Sequence, residues 1–468
     1  MSALNPVAGR VVVVGNGPAA HRLVEKLRAH GHDGQITVLG AERHAAYNRV
    51  LLGSLLDGSL PPSAVSLPDL DAEVLLGCSV TGIDRAARAV RTEDGREFGY
   101  DALVLATGAR PLVPEIIGLG RDRLHSLRTL ADCARLERES GRVAVLGGGV
   151  LGVEVALALV ARGRPVALVH RAAHLMERHL DDTGGRMLAE RVRELGVDVR
   201  LGVKATAHRA GTLRLTDGSG LAADVVVACT GVWPEVRVAQ RAGVSVDRGV
   251  VVDDRMRTSD PHIHAIGDCA EHRGATTGQI LSAWEQAEVL AEHLTGGGAR
   301  RPGTGVVTRL RARGLDLASI GATRALDSGD AEIVTFSDPA RGRYAKLALH
   351  SGRVSSAVLL GLPAAIPAVG RLHERGLPMP ADRLSLLLGT PAPVPGAPVE
   401  LPEDAVLCRC SHVTKKSLIS AWHSGARSVA ALAGATRATT GCGGCVDDVG
   451  RLCDALADRI EPERKGAA

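Results

Sequence analysis

The chain has 468 residues, too many for one core, and its 45% hydrophobic and 23% charged residues exclude a disordered or fibrous protein. A formal net charge of +4 over 56 basic and 52 acidic residues, with 2% aromatic residues, supplies neither a block of like charge nor a base-stacking surface, so no nucleic-acid role is expected. Nine cysteines, four of them in two close pairs late in the chain, follow metal arithmetic rather than a disulfide framework.

The chain begins with a short polar lead that has none of the basic, apolar and cleavage regions of a secretory signal. Its most apolar late stretch, 354–369, is interrupted by Pro363 and Pro367 and falls short of a membrane span. A cytoplasmic protein without a membrane segment is expected.

From residue 10 to about 300, short β-branched runs alternate with amphipathic helical stretches, which predicts an α/β fold with parallel sheets and crossover helices. The first strand runs into a glycine turn, Val11-Val-Val-Val-Gly15-Asn-Gly17-Pro-Ala-Ala20. In a dinucleotide fingerprint the first glycine makes the tight turn, the second lets the backbone approach a pyrophosphate, and a small third residue packs helix on strand. Ala20 fills that third place. A second strand, 35–39, leads to Glu42, placed to accept ribose hydroxyls. Next come Tyr47-Asn48-Arg49 and then a strand closing on a Thr-Gly turn, Asp101-Ala-Leu-Val-Leu-Ala-Thr107-Gly108.

The glycine device returns about 130 residues later as Val143-Ala-Val-Leu-Gly147-Gly-Gly149-Val-Leu-Gly152, so two nucleotides are expected. The next strand ends Val166-Ala-Leu-Val-His170-Arg171, without the carboxylate that favours NADH. Arg171 is placed either to meet the 2′-phosphate of NADPH or to lie solvated, so NADH and NADPH both stay open, with a tilt to NADPH. A second Thr-Gly turn closes Asp224-Val-Val-Val-Ala-Cys-Thr-Gly231, and His264-Ala-Ile-Gly267-Asp268 ends a strand on an acid able to bond a ribityl hydroxyl. The helix beginning near Gln279 and containing Trp284 follows that acid. Its positive end is a candidate for stabilising charge on a flavin, the alternative being core packing.

Beyond residue 304 the runs become shorter and more strand-like, as at 331–336 and 344–350, and read as a separate α+β domain without a motif. Thr390-Pro-Ala-Pro-Val-Pro-Gly-Ala-Pro-Val-Glu-Leu-Pro402 predicts an extended, semi-rigid spacer. After it stand Cys408-Arg-Cys410-Ser-His412-Val-Thr and Thr440-Gly-Cys442-Gly-Gly-Cys445, four thiolates suited to an iron–sulfur cluster. A structural Cys₄ zinc site is the alternative, but its pairs are usually spaced by two to four residues, which a Cys-x-Cys pair does not match.

Taken in this order, the elements of residues 8–300 resemble the two-dinucleotide flavoproteins among the pyridine nucleotide-dependent oxidoreductases. The resemblance implies FAD on Gly15, Gly17, Ala20, Glu42, Arg49, Thr107, Gly108, Gly267 and Asp268, and NAD(P)H on Gly147, Gly149, Gly152, Arg171 and Gly231. It also implies an FAD-binding domain of residues 1–120 and 235–300, an NAD(P)H-binding domain of 121–234 inserted in it, an α+β interface domain of 301–389 and a linker of 390–403. The module of 404–460 resembles the small helical bacterioferritin-associated ferredoxin-like [2Fe-2S] domain, which implies Cys408, Cys410, Cys442 and Cys445 as cluster ligands.

Disulfide reductases of this family carry a redox cysteine pair after the ribose acid, whereas this chain has Arg43-His-Ala-Ala-Tyr47 there, so no thiol relay is expected. The Tyr47-Asn48-Arg49 run resembles the flavoprotein part of assimilatory nitrite reductases and the electron-transfer subunit of assimilatory nitrate reductases. The resemblance implies electron flow from NAD(P)H through FAD, as a two-to-one electron converter, to the [2Fe-2S] cluster. The acceptor it implies is a separate molybdenum nitrate reductase, since the chain ends soon after the cluster module. Another redox partner (an oxygenase, a ferredoxin or a small-molecule reductase) and a sensing or binding module with a non-catalytic cluster stay open. An NAD(P)H oxidase is disfavoured, because no peroxide-handling cysteine follows Glu42.

Overall fold

The computed structural model describes residues 9–120, 122–300, 307–312, 314–327, 329–389, 401–408, 413–439 and 445–465. It divides into two compact units, one of residues 1–52, 61–112 and 231–304, the other of 53–60, 113–230 and 305–468. The five-part division read from the sequence is finer than this one and remains a proposal; most of the spacer, 390–400, lies outside the described residues.

The first unit is built on a parallel sheet in the order Ile263–Ala265, Ala102–Leu105, Val11–Val14, Ile36–Gly40, Glu73–Leu76. Val11 faces Ile36 on one side and Ala102 on the other, which fixes the register of the three central strands. All four valines of Val11–Val14 are buried, in one core with Leu23 and Leu27, Leu290 and Leu294 and Val90, which leaves no solvent side for alternation. The helix Pro18–Ala29 starts at a proline whose fixed φ suits the first helical position, and it buries Ala20, Leu23, Val24 and Leu27. Against it packs the helix Ile280–Leu294, joined by the ion pair of Lys26 and Glu288 at 2.6 Å. A three-stranded antiparallel sheet, Val80–Asp84, Ala89–Thr92 and Glu97–Gly99, completes the layer.

The second unit repeats the plan with a parallel sheet in the order Val197–Leu201, Val166–His170, Val143–Leu146, Val225–Ala228, Leu124–His125. It also holds a five-stranded antiparallel sheet in the order Val307–Ala312, Leu315–Ile320, Arg353–Leu360, Arg343–His350, Glu332–Asp338. Ala345, Leu347, Ala357 and Leu359 of that sheet bury against Ile366, Val369 and Leu372 of the helix Ala365–Arg375. Asp181 caps the helix Asp182–Glu194 through the Gly184 N–H and accepts the Tyr344 hydroxyl at 2.5 Å, which ties the dinucleotide part to the antiparallel sheet. Last come the short strands Val406–Cys408 and Val413–Thr414 and the helices Lys415–His423, Val429–Thr436 and Val446–Lys465. Among the described residues no helix is long and apolar enough to cross a membrane.

Candidate functional site

In the first unit Gly15 sits at φ +113°, and a Cβ there would lie 2.2 Å from the Ala106 carbonyl oxygen, so only glycine fits this turn. Gly17 caps the helix Pro18–Ala29 without any side-chain hydrogen bond, and the nearest atom to a Cβ placed on it is Arg49 Nε at 3.9 Å. The helix start thus has no capping side chain, and with Pro18 lacking an N–H the backbone N–H groups that follow it are left for a ligand, the arrangement that receives a phosphate. Between the two glycines, Asn16 buries both atoms of its amide with no hydrogen-bond partner. An orphaned amide beside an open helix start fits a polar group such as the FAD pyrophosphate, and nothing in the sequence singled Asn16 out.

Glu42 and Arg49 come together. The Glu42 carboxylate pairs with the Arg49 guanidinium and accepts the Tyr47 hydroxyl at 2.7 Å, while Arg49 also donates to that hydroxyl at 2.9 Å and stacks 4.8 Å over the Tyr47 ring. A carboxylate has about four lone-pair sites, so Glu42 keeps capacity for a ribose hydroxyl. Asn48, buried, accepts the Val50 N–H and sets the turn that carries Arg49. The Thr107 hydroxyl donates to the Glu235 carbonyl at 2.6 Å, and the Glu235 N–H donates back to the Gly108 carbonyl. The outgoing and returning chains are thus stitched at the Thr-Gly turn.

Gly267 (φ +79°) donates its N–H to Gln286 Oε1 at 2.6 Å, and half-buried Asp268 follows in the same 3₁₀ turn. From the helix of Gln286 the Trp284 indole donates to the Pro18 carbonyl at 3.2 Å. One helix, Ile280–Leu294, thereby holds both the fingerprint helix and the Gly-Asp turn. These contacts come from side chains within the helix rather than from its start. Cys269 is buried, its thiol donates to the Leu105 and Ile266 carbonyls, and burial pushes its pKa up, so it packs rather than reacts.

In the second unit Gly147 sits at φ +105°, with a Cβ there 2.4 Å from the Cys229 carbonyl oxygen. Gly149 caps the helix Val150–Ala161 with no side-chain bond and nothing within 4 Å of a Cβ placed on it. At Gly152 a Cβ would lie 1.8 Å from the Gly147 carbonyl oxygen, so helix and turn are in contact there. The turn at Gly231 (φ +114°), assigned to the first unit, is equally open. His170 is buried, Arg171 is exposed, and the open helix start fits a second pyrophosphate.

In the last module Cys408 closes the strand Val406–Cys408, and Cys445 precedes the helix Val446–Lys465, accepting the Val449 N–H at its carbonyl. Both residues are buried. A thiolate at a helix start is favoured by the helix dipole, which suits a cluster ligand. Cys410, Cys442 and His412 lie outside the described residues.

Comparison with known proteins gives three family matches: pyridine nucleotide-disulphide oxidoreductase over residues 9–288, rubredoxin NAD+ reductase C-terminal domain over 307–369, and BFD-like [2Fe-2S] binding domain over 406–454. The chain is 32% identical to the nitrite reductase [NAD(P)H] of Bacillus subtilis (strain 168), covering 93% of this chain and 56% of the relative. It is 30% identical to the assimilatory nitrate reductase electron transfer subunit of the same organism, covering 93% and 58%. Among solved structures, the covalent putidaredoxin reductase–putidaredoxin complex matches with a TM-score of 0.70 at 28% identity, covering 81% of this chain and 93% of that one. The chain spans just over half the length of the two Bacillus relatives. The antiparallel sheet for which the sequence offered no motif is the region matched to the rubredoxin reductase domain.

Proposed function

The chain belongs to the pyridine nucleotide-disulphide oxidoreductase family, and on that premise we propose that it draws electrons from NAD(P)H through FAD into a [2Fe-2S] cluster and delivers them to a separate acceptor, assimilatory nitrate reductase foremost. It is an oxidoreductase whose cofactors are FAD, a nicotinamide nucleotide and a [2Fe-2S] cluster. When bound, these groups supply hydride transfer to flavin and one-electron storage on iron. The protein's residues bind and orient.

In this reading the open helix start after Gly15 and Gly17, with Ala20 packed behind it and Asn16 beside it, receives the FAD pyrophosphate. Glu42 and Asp268 accept hydroxyls of the ribose and ribityl chain, Arg49 holds the Glu42 carboxylate in place, and the Thr107-Gly108 and Gly267 turns line the flavin. Gly147, Gly149 and Gly152 carry the nicotinamide nucleotide, with Gly231 at the chain's return and Arg171 near the 2′ position. Cys408, Cys410, Cys442 and Cys445 ligate the cluster. Cys78, Cys133, Cys269 and Cys453 are buried thiols, which suits a reducing compartment, and in this reading the protein acts in the cytoplasm.

The observation that carries the nitrate reading is that relatives of nitrate and nitrite metabolism, the two Bacillus proteins among them, are matched along 93% of this chain, cluster module included. The putidaredoxin reductase likeness, over 81%, favours a small ferredoxin as the second acceptor to try. The test is anaerobic stopped-flow with NADH and NADPH separately, following flavin bleaching and the cluster's visible absorbance, with nitrate reductase then added. Flavin should bleach first, the cluster should follow within a turnover, and the added enzyme should reoxidise both. In Cys445→Ser the flavin should still bleach while the cluster signal and the transfer are lost. A cluster that stays oxidised over reduced flavin in the parent protein overturns the path and leaves the sensing or oxidase readings.

A further inference from the structure

The strand Val166–His170 ends on an imidazole where a dinucleotide-binding strand commonly offers a carboxylate to the ribose. That imidazole is fully engaged. His170 Nδ1 accepts the Gly148 N–H at 3.0 Å, and Nε2 lies 3.0 Å from the Glu177 carboxylate. A backbone N–H can only donate, so Nδ1 is the acceptor and the ring proton sits on Nε2, donated to Glu177. From the other side the Met176 N–H donates to the Gly148 carbonyl at 2.8 Å, and Met176 is itself buried at a φ of +54° that its side chain rarely adopts. A Cβ at 148 would lie 2.7 Å from His170 Cγ, so the ring rests on the peptide it binds. The central peptide of the glycine turn is clamped at both its N–H and its carbonyl, by the strand end and by the loop that follows.

Resting on the reading that this turn takes the nicotinamide nucleotide, we propose that His170 is a positioning residue: with Glu177 it fixes the Gly147–Gly149 turn so that the open helix start faces the pyrophosphate. The pyrophosphate is common to NADH and NADPH, so the brace serves both equally. His170 itself does not discriminate at the 2′ position, because it has no free ring nitrogen. Burial holds the imidazole neutral, against the opposing pull of Glu177 and with Arg171 and His174 adding to the neutral form. That is the state in which Nδ1 can accept.

Two variants separate the ring's two bonds. Asparagine places its oxygen near Nδ1 and keeps the acceptor for Gly148 while losing Glu177; glutamine reaches Glu177 and loses the acceptor. Calorimetric binding of NAD+, NADP+ and ADP-ribose to the flavin-loaded protein is the readout, with thermal midpoints as the measure of fold. His170→Gln should weaken all three ligands by about tenfold, His170→Asn by less than about threefold, the scale of one buried hydrogen bond. The limiting rate of flavin reduction at saturating nucleotide should be unchanged in both. Parent-like binding by His170→Gln, loss confined to one of the two nucleotides, or equal losses in both variants at equal midpoints overturns the brace. A parent protein that binds none of the three ligands overturns the reading of the turn itself, and the proposal with it.

Discussion

At the first glycine turn the following strand gives way to Glu42, whose carboxylate is held from outside the turn by Tyr47 and Arg49; at the second, the strand ends on His170, whose ring reaches back to grip the turn itself. The backbones are near copies: Gly15 and Gly147 have φ of +113° and +105°, with a carbonyl oxygen 2.2 and 2.4 Å from where a Cβ would be. The third position departs from the copy. Ala20 places a buried methyl between helix and strand, whereas Gly152 leaves no room for one. Backbone geometry is reused because phosphate recognition by free N–H groups is the same task twice. Side chains diverge where the two turns must retain different molecules, one a resident flavin and the other an exchanging nucleotide.

The largest test of that contrast is Gly152→Ala. A Cβ 1.8 Å from a backbone oxygen forces the helix off the turn, at a cost of about 3 kcal/mol, so nucleotide affinity should fall about a hundredfold. Flavin content, read by absorbance, should hold; parent-like nucleotide titration would show the two turns equally tolerant. Next is Gln286→Leu, which leaves the Gly267 N–H buried without its acceptor, worth about 1–3 kcal/mol. Flavin retention on dialysis should drop by roughly tenfold with nucleotide binding to the second unit unchanged.

A pH contrast comes third. His264, on the strand before the Gly-Asp turn, is buried with its Nδ1 unpartnered beside the His293 ring; burial and that neighbour push its pKa down to about 3 from 6.5, with Arg257 and His262 adding and Asp253 opposing. A histidine depressed on folding costs no stability above its unfolded pKa, and stability falls as pH drops from about 6.5 toward 3, because the unfolded chain takes up the proton first. The thermal midpoint of the parent should decline over that window, and His264→Leu should flatten the decline while leaving pH 8 stability near its parent value. An unchanged slope assigns the acid sensitivity to other groups. The smallest effect is expected for exposed Arg171→Ala: NADPH binding weaker by about threefold, NADH unchanged, the scale of a solvated ion pair.

The glycines and the Thr-Gly turns were legible in the sequence because each is a residue type demanded locally, by a backbone angle or a close approach; the Gly-Asp acid and the cysteine pairs were legible as candidates for a ligand atom. Gln286, His170 and Asn16 were not. Gln286 lies 19 residues beyond the amide it holds and would suit any buried helix position until the two segments meet. His170 read as the lack of an acid, since its bond to Gly148 exists only once the strand and turn are folded side by side. The antiparallel sheet of the second unit showed its strands but no role, because alternation of buried and exposed residues encodes a core and not a chemistry.

The helix Ile280–Leu294 grips the Pro18 carbonyl through Trp284, the Gly267 amide through Gln286 and Lys26 through Glu288. Little more than one turn of one rod, residues 284–288, thus bears on both ends of the flavin's proposed seat, which makes that seat a single cooperative opening unit. Its amide protons should exchange with solvent together or not at all, and flavin departure should coincide with undocking of that rod rather than with fraying of either turn.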